Sequence, residues 1–125
     1  MRTHRGFTLI EVLVVLVLVG VLAGLAIPQY AGFRQRGYDS KVAAAVRGVA
    51  TGEEAYYAEH RVYAASIGEL RGMTPGDVEI AIGAGNSGNL ASSFRVTGTH
   101  PGTPRTFTWV SDPVPGTPNL LEDGA

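Results

Sequence analysis

Apolar and polar residues are distributed unevenly along the 125 residues of this chain. An unbroken apolar run extends from Val12 to Ile27, and the wider stretch 7–31, about 25 residues, is long enough to span a bilayer. Arg2 and Arg5 precede this stretch, and the bulk of the chain follows it. We therefore expect one membrane crossing, with the N-terminus in the cytoplasm and the remainder outside.

Beyond Pro28 the pattern becomes amphipathic. Apolar residues recur at intervals of three and four, which predicts that the helix continues to about Ala58. The residues assigned to the apolar face are Tyr38, Val42, Ala45, Val46, Val49 and Tyr56. The charged residues assigned to the other faces are Arg34, Arg36, Asp39, Lys41, Arg47, Glu53, Glu54 and Glu59. The proline inside the helix, with Gly20 and Gly24 just before it, predicts a bend or a locally opened turn.

The second half of the chain has the alternating pattern that is typical of strands. Segments 78–82, 94–96 and 107–109 each place apolar residues at every second position. Residues 66–70 predict a short helical turn, and the proline- and glycine-rich tail from Pro113 predicts irregular structure. The predicted fold class is α+β. A long N-terminal helix, apolar in its first half and amphipathic in its second, packs on a small antiparallel β-sheet.

Composition excludes some functions. The formal net charge is −1, and no basic stripe occurs in the second half, which argues against a dedicated nucleic-acid surface. There is no cysteine, so disulfides contribute nothing to the fold.

The start of the apolar helix carries an unusual carboxylate. The order Gly6-Phe7-Thr8-Leu9-Ile10-Glu11 follows a short basic leader. An unpaired carboxylate within a bilayer costs roughly 2.5–3.5 kcal/mol, so Glu11 is expected to have a partner. Cleavage after Gly6 would create one, because Phe7 would then have a free amino group.

This hexapeptide resembles the class III signal of type IV prepilins and of the related pseudopilins, and Ala26-Ile27-Pro28-Gln29-Tyr30 continues the resemblance. The resemblance implies cleavage between Gly6 and Phe7 and N-methylation of Phe7. It also implies a pilin fold, in which Glu11 pairs with the Phe7 amine of a neighbouring subunit. The better-known pilins have a C-terminal disulfide loop that this chain lacks.

The resemblance implies four segments. Residues 1–6 are a leader peptide, 7–31 a transmembrane and filament-core helix, 32–60 its amphipathic continuation, and 61–125 a globular head. In related pilins the helix can lose its regular form within the filament, and this expectation falls on Gly20, Gly24 and Pro28.

The function implied is that of a structural subunit and not an enzyme. The chain would be held in the inner membrane with its head in the periplasm, and then polymerised into an extracellular pilus for motility, adhesion or DNA uptake. The implied partners are other copies of the chain, a prepilin peptidase that is also a methyltransferase, and an assembly platform driven by an ATPase. No cofactor is implied.

Three alternatives stay open. The first is a type II secretion pseudopilin, which forms a short periplasmic filament from the same kind of N-terminus. The second is an exported, membrane-anchored binding module. The third is an ordinary secretory signal, since Val21-Leu22-Ala23 satisfies the small-residue rule for its cleavage. Glu11 argues against the last two, because neither an anchor nor a secretory signal uses a buried carboxylate.

Other motifs predict no catalytic, cofactor or metal site. Residues 83–88 match the GxGxxG fingerprint, but the next strand follows too closely for the required helix, so a turn is expected. His60 and His100 have no partner at ligand spacing and are expected to be exposed or to cap a backbone group. The acidic residues Asp112, Glu122 and Asp123 offer at most a weak calcium site.

Overall fold

A computed structural model describes residues 5–124. Helix α1 spans Leu9–His60 and is followed by a 3-10 helix, Ile67–Glu69. The four strands are β1 (Glu79–Ala84), β2 (Phe94–Thr99), β3 (Thr106–Val110) and β4 (Leu120–Asp123). Most of the predicted leader, including Arg2 and His4, lies outside the described residues. The chain divides into two compact units between Arg34 and Gln35. Helix α1 contributes residues to both units.

The first unit contains the apolar part of α1. Its large apolar side chains are exposed, by between 49% at Val12 and 91% at Phe7. An 18-residue window of this helix has a mean hydropathy of 2.9, so its length and composition suffice to cross a membrane. The helix continues without interruption through Pro28. The helix break expected at Gly20, Gly24 and Pro28 concerns the assembled filament and stays a prediction.

The second unit contains an antiparallel sheet in the order β1-β2-β3-β4, with each strand paired to the next along the chain. The amphipathic part of α1 packs its apolar face on this sheet, which confirms the predicted fold class. Val42 and Val46 from the helix, and Phe94 and Val96 from β2, have no exposed surface. The other fully or nearly buried core members are Val49, Ala50, Ala64, Leu70, Val78 and Phe107.

The predicted irregular tail contains a strand, so that part of the prediction was wrong. Leu120 pairs with Trp109, and Leu121 pairs with Thr108. Just before this strand, the Val110 backbone N–H donates to the Asn119 carbonyl at 2.9 Å, and the Asn119 side-chain amide donates to the Val110 carbonyl at 2.9 Å. A four-residue edge strand is too short to show a clear period of two. The prolines before it also argue against a strand, so the sequence pattern did not predict this pairing.

Gly98 allows the helix to approach the sheet closely. A Cβ atom at this position of β2 would lie 2.5 Å from Val46 Cγ2 and 2.9 Å from Val42 Cγ1. Both valines are fully buried, and side chains in a close-packed core shift only at a cost.

We predict that Gly98→Ala lowers the free energy of unfolding by about 1–3 kcal/mol, because the added methyl group overpacks the core. Urea denaturation of the full chain in detergent measures this change. Gly83→Ala in β1 is the matched control, because a Cβ atom there meets no atom within 4 Å. Equal stability of the two variants would contradict the close approach at Gly98.

Candidate functional site

The N-terminus of helix α1 is capped by a pair of reciprocal hydrogen bonds between Thr8 and Glu11. The Thr8 backbone N–H donates to Glu11 Oε2 at 3.0 Å, and the Glu11 backbone N–H donates to Thr8 Oγ1 at 3.3 Å. The Val12 N–H donates to the Thr8 carbonyl at 3.3 Å. This arrangement is a capping box with Thr8 as the N-cap residue. The sequence carries the signal for this cap, Thr-x-x-Glu before an apolar run, but apolar periodicity alone does not reveal it.

The capping box holds the Glu11 carboxylate at the helix N-terminus, where the helix dipole favours a negative charge. One donated hydrogen bond occupies only part of a carboxylate, which has about four acceptor sites. Glu11 therefore retains the capacity to bind an amine from outside its own chain. Phe7, the residue expected to supply that amine, lies just before the helix and is exposed.

The glycines of the apolar helix are not required by packing within this chain. A Cβ atom added at Gly20 or at Gly24 would meet no atom within 4 Å, and the same is true of Gly6 before the helix. Glycine inside a helix is less favourable than alanine by about 1 kcal/mol. Contacts within the first unit do not explain why these two positions are glycine.

The glycine-rich loop after β1 binds a carboxylate of the chain itself. The backbone N–H groups of Asn86 and Ser87 donate to the two Asp112 oxygens at 2.9 and 2.8 Å. Burial raises the pKa of Asp112, but hydrogen bonds from Asn86, Ser87 and Ser93 outweigh it, and the net shift is downward. The predicted turn is present, and two of its backbone N–H groups, those of Asn86 and Ser87, are bound by Asp112.

His100 was expected to be exposed or to cap a backbone group, and it is largely buried but accepts a backbone N–H. Its side chain is 8% exposed, and its ring stacks on Tyr38 with 4.4 Å between centroids. The Gly102 N–H donates to Nδ1 at 2.8 Å, and Nε2 lies 3.0 Å from the Asp77 carboxylate. Lys41 also pairs with Asp77. These contacts, of Lys41 first and then of His100, hold the pKa of Asp77 well below its usual range.

The remaining candidate ligands do not form a metal centre. His60 is exposed, as expected, and stacks on Tyr56 with 4.0 Å between ring centroids. Glu122 forms an ion pair with Arg105, and Asp112 binds the glycine-rich loop. Within residues 5–124, no group of three histidine, aspartate or glutamate side chains is placed to hold a metal ion.

Glu53 was wrongly assigned to a solvent-facing side of the helix. Its side chain is fully buried, and Oε2 accepts a hydrogen bond from the Ala64 N–H at 2.8 Å. The spacing of apolar residues along the helix indicated only approximately which way the Glu53 side chain points. The segment that covers it lies beyond the helix and was not predicted to fold back.

Comparison with known proteins relates the N-terminal segment to a known sequence motif. A sequence profile of the prokaryotic N-terminal methylation motif matches residues 1–27. A fimbrial protein of Pseudomonas aeruginosa is 32% identical over 107 residues, which cover 82% of this chain and 66% of that protein. The chain belongs to the type IV pilin family. The matched segment is just under two thirds of the relative's length.

Two further relatives belong to a type IV pilus and to a type II secretion system. The type IV wide pilus major component PilA4 of Thermus thermophilus is 31% identical over 86 residues, which cover 66% of each chain. The type II secretion system core protein G of Klebsiella pneumoniae is 45% identical over 42 residues, which cover 34% of this chain and 30% of that one. The pilin relatives are structural subunits, which supports the prediction that this pilin is not an enzyme.

The capping box yields a direct prediction for this pilin. Thr8→Val removes the hydroxyl acceptor and keeps the side-chain shape, so the first helical turn loses about 1 kcal/mol. We expect amide hydrogen exchange at Glu11 to become about fivefold faster in detergent micelles. The control is Thr51→Val, which removes the hydroxyl that donates to the Arg47 carbonyl in mid-helix. Unchanged exchange at Glu11 in the Thr8 variant would exclude the cap.

Proposed function

We propose that this pilin is a structural subunit of a type IV pilus, cleaved after Gly6, N-methylated at Phe7 and polymerised through its N-terminal helix. The observation that carries the proposal is an exposed apolar helix that begins at Leu9, shortly after Gly6-Phe7, and is capped by Thr8 and Glu11. The helix has the length and hydropathy for a membrane, and the one carboxylate of its apolar part, Glu11, lies about one turn from the proposed new N-terminus.

In the proposed assembly step, Glu11 of one subunit pairs with the Phe7 amine of its neighbour. Each group is costly alone in an apolar environment, and the two together are less so. A neighbour in another register leaves both charges unsatisfied, so the pair selects one axial position. The Thr8 bond orients the carboxylate before the neighbour arrives and leaves its other acceptor sites open.

The apolar helix would exchange lipid for other copies of itself. Its exposed valine and leucine side chains gain dispersion contacts when helices pack side by side. Gly20 and Gly24 lie one turn apart, in a spacing that allows close helix contacts in membranes. Together with Pro28 they also weaken the helix locally, which is where we place the break in the assembled filament.

The proposed life cycle requires partners besides other copies of this pilin. A prepilin peptidase removes residues 1–6 and methylates Phe7, and an assembly platform with an ATPase extracts the subunit from the inner membrane. Residues 7–31 would then form the filament core, 32–60 the amphipathic continuation, and 61–125 the outer head. The pilus itself would be extracellular.

A pseudopilin of a type II secretion system is the second candidate. The 45% identity to a secretion core protein over 42 residues favours it, but those residues cover only 34% of this chain. Deletion of the gene distinguishes the two candidates. Loss of surface pili supports the pilus subunit, whereas blocked enzyme secretion with normal pili supports the pseudopilin.

We predict that Glu11→Gln reduces surface filaments at least tenfold and leaves leader cleavage intact. Glutamine preserves the capping box but removes the charge, so this variant separates helix capping from pairing. Filaments sheared from cells are quantified by immunoblot, and processing is followed by the gel mobility of the subunit. Glu79→Gln, on the exposed part of β1, is the control. Normal piliation with Gln at position 11 would rule out the charge pairing.

We predict that Gly6→Val blocks processing, because a branched side chain stands at the cleavage position. The precursor, six residues longer, should accumulate in the membrane fraction, and N-terminal sequencing identifies it. Gly83→Ala should be processed normally. Mature-length protein from the Gly6 variant would show that the assigned cleavage site is wrong.

A further inference from the structure

Glu53 joins helix α1 to the segment that follows the helix. The chain leaves the helix after His60 through Arg61, whose φ of 60° lies in the left-handed region, and returns along it. The Ala64 N–H then donates to Glu53 Oε2 at 2.8 Å. The other oxygen, Oε1, is buried and has no hydrogen-bond partner. The carboxyl group is thus fully buried and only half satisfied.

The same segment packs apolar side chains on the core. Ala64 has no exposed surface, and Leu70 is buried. Met73 lies beside Gly52, where an added Cβ would be 2.9 Å from the methionine methyl. Release of residues 64–73 from the helix would uncover these apolar groups.

The ionisable groups around Glu53 are mostly acidic. The Glu54 carboxylate accepts a hydrogen bond from the Tyr63 hydroxyl at 3.4 Å. The carboxylate of Glu69, in the 3-10 helix, accepts one from the Ala65 N–H at 3.2 Å. The phenols of Tyr56 and Tyr63 interact with Glu53 as well. Glu69 also lines a groove that it shares with the side chains of Glu59, His60 and Arg71.

This environment disfavours an ionised carboxylate. Burial is the main cause that raises the pKa of Glu53 from 4.5 to about 7, and the negative charges of Glu69 and Glu54 add to the increase. The Ala64 N–H acts in the opposite direction but does not compensate for burial. An oxygen without a partner, as Oε1 is, also favours the neutral acid.

We propose that Glu53 is a proton-controlled latch, which holds residues 64–73 against helix α1 while its carboxyl is protonated and releases them when it ionises. The closed form binds the proton more tightly than the open form, in which the carboxyl is in water. Raising the pH therefore favours opening. The change occurs between about pH 4.5, the ordinary value, and about pH 7, and the opening equilibrium is flat outside that window.

Hydrogen exchange of the full chain in detergent, corrected for the intrinsic rate at each pH, tests the latch between pH 4 and pH 8.5. The opening constant at the Ala64 amide and in peptides of residues 64–73 should rise by roughly a hundredfold across the window. In Glu53→Gln it should stay constant, because the amide is always neutral and its oxygen still accepts the Ala64 N–H.

Two further variants keep the test decisive if the Glu53 variant is unstable. Glu69→Gln removes a nearby negative charge, so the transition should persist but move to lower pH. Tyr30→Phe, in the first unit, should leave the transition unchanged. A pH dependence that persists unchanged in Glu53→Gln, or a segment whose exchange does not vary with pH in the native chain, would overturn the latch. The result is independent of whether the chain forms a pilus or a pseudopilus.

Discussion

The chain depends on one electrostatic constraint, which is that a carboxylate, Glu11, lies in the first turn of a helix whose first half is otherwise apolar. Water solvates a carboxylate well, and neither lipid nor packed helices can replace that solvation. The chain itself partly stabilises the Glu11 charge, through the hydrogen bond from the Thr8 N–H and through the helix dipole. The remaining requirement is for a positive charge, and the amine created at Phe7 would supply it. In the proposed assembly, Gly6, Phe7, Thr8 and Glu11 would therefore act together.

The second unit is stabilised by different interactions. Its core joins one face of α1 to the inner face of the sheet, and polar contacts attach the loops to the same helix. Asp77 binds Lys41 and His100, while the Thr103 hydroxyl donates to Asp39 at 2.5 Å. These pairs link positions far apart in sequence, so the loop after β2 is held by side chains of the helix.

Periodicity in the sequence predicted the long helix, its apolar face and the first three strands, because burial imposes those patterns directly. It did not predict β4, whose pairing depends on where a proline-rich loop returns to β3. The burial of Glu53 and the contacts of His100 depend on residues at distant positions, Ala64 and Asp77. The cap at Thr8 differs, because its signal is local and was available. The proposed pairing of Glu11 involves a second subunit, which the structure of one chain does not include.

The distance between Glu11 and the neighbouring Phe7 amine in the assembled filament tests the central claim most directly. A filament structure determined by electron cryomicroscopy should place the Glu11 carboxylate within about 4 Å of the N-methylated amine of an adjacent subunit. A filament in which that amine lies in another layer, or in which the subunit still carries residues 1–6, would contradict the account.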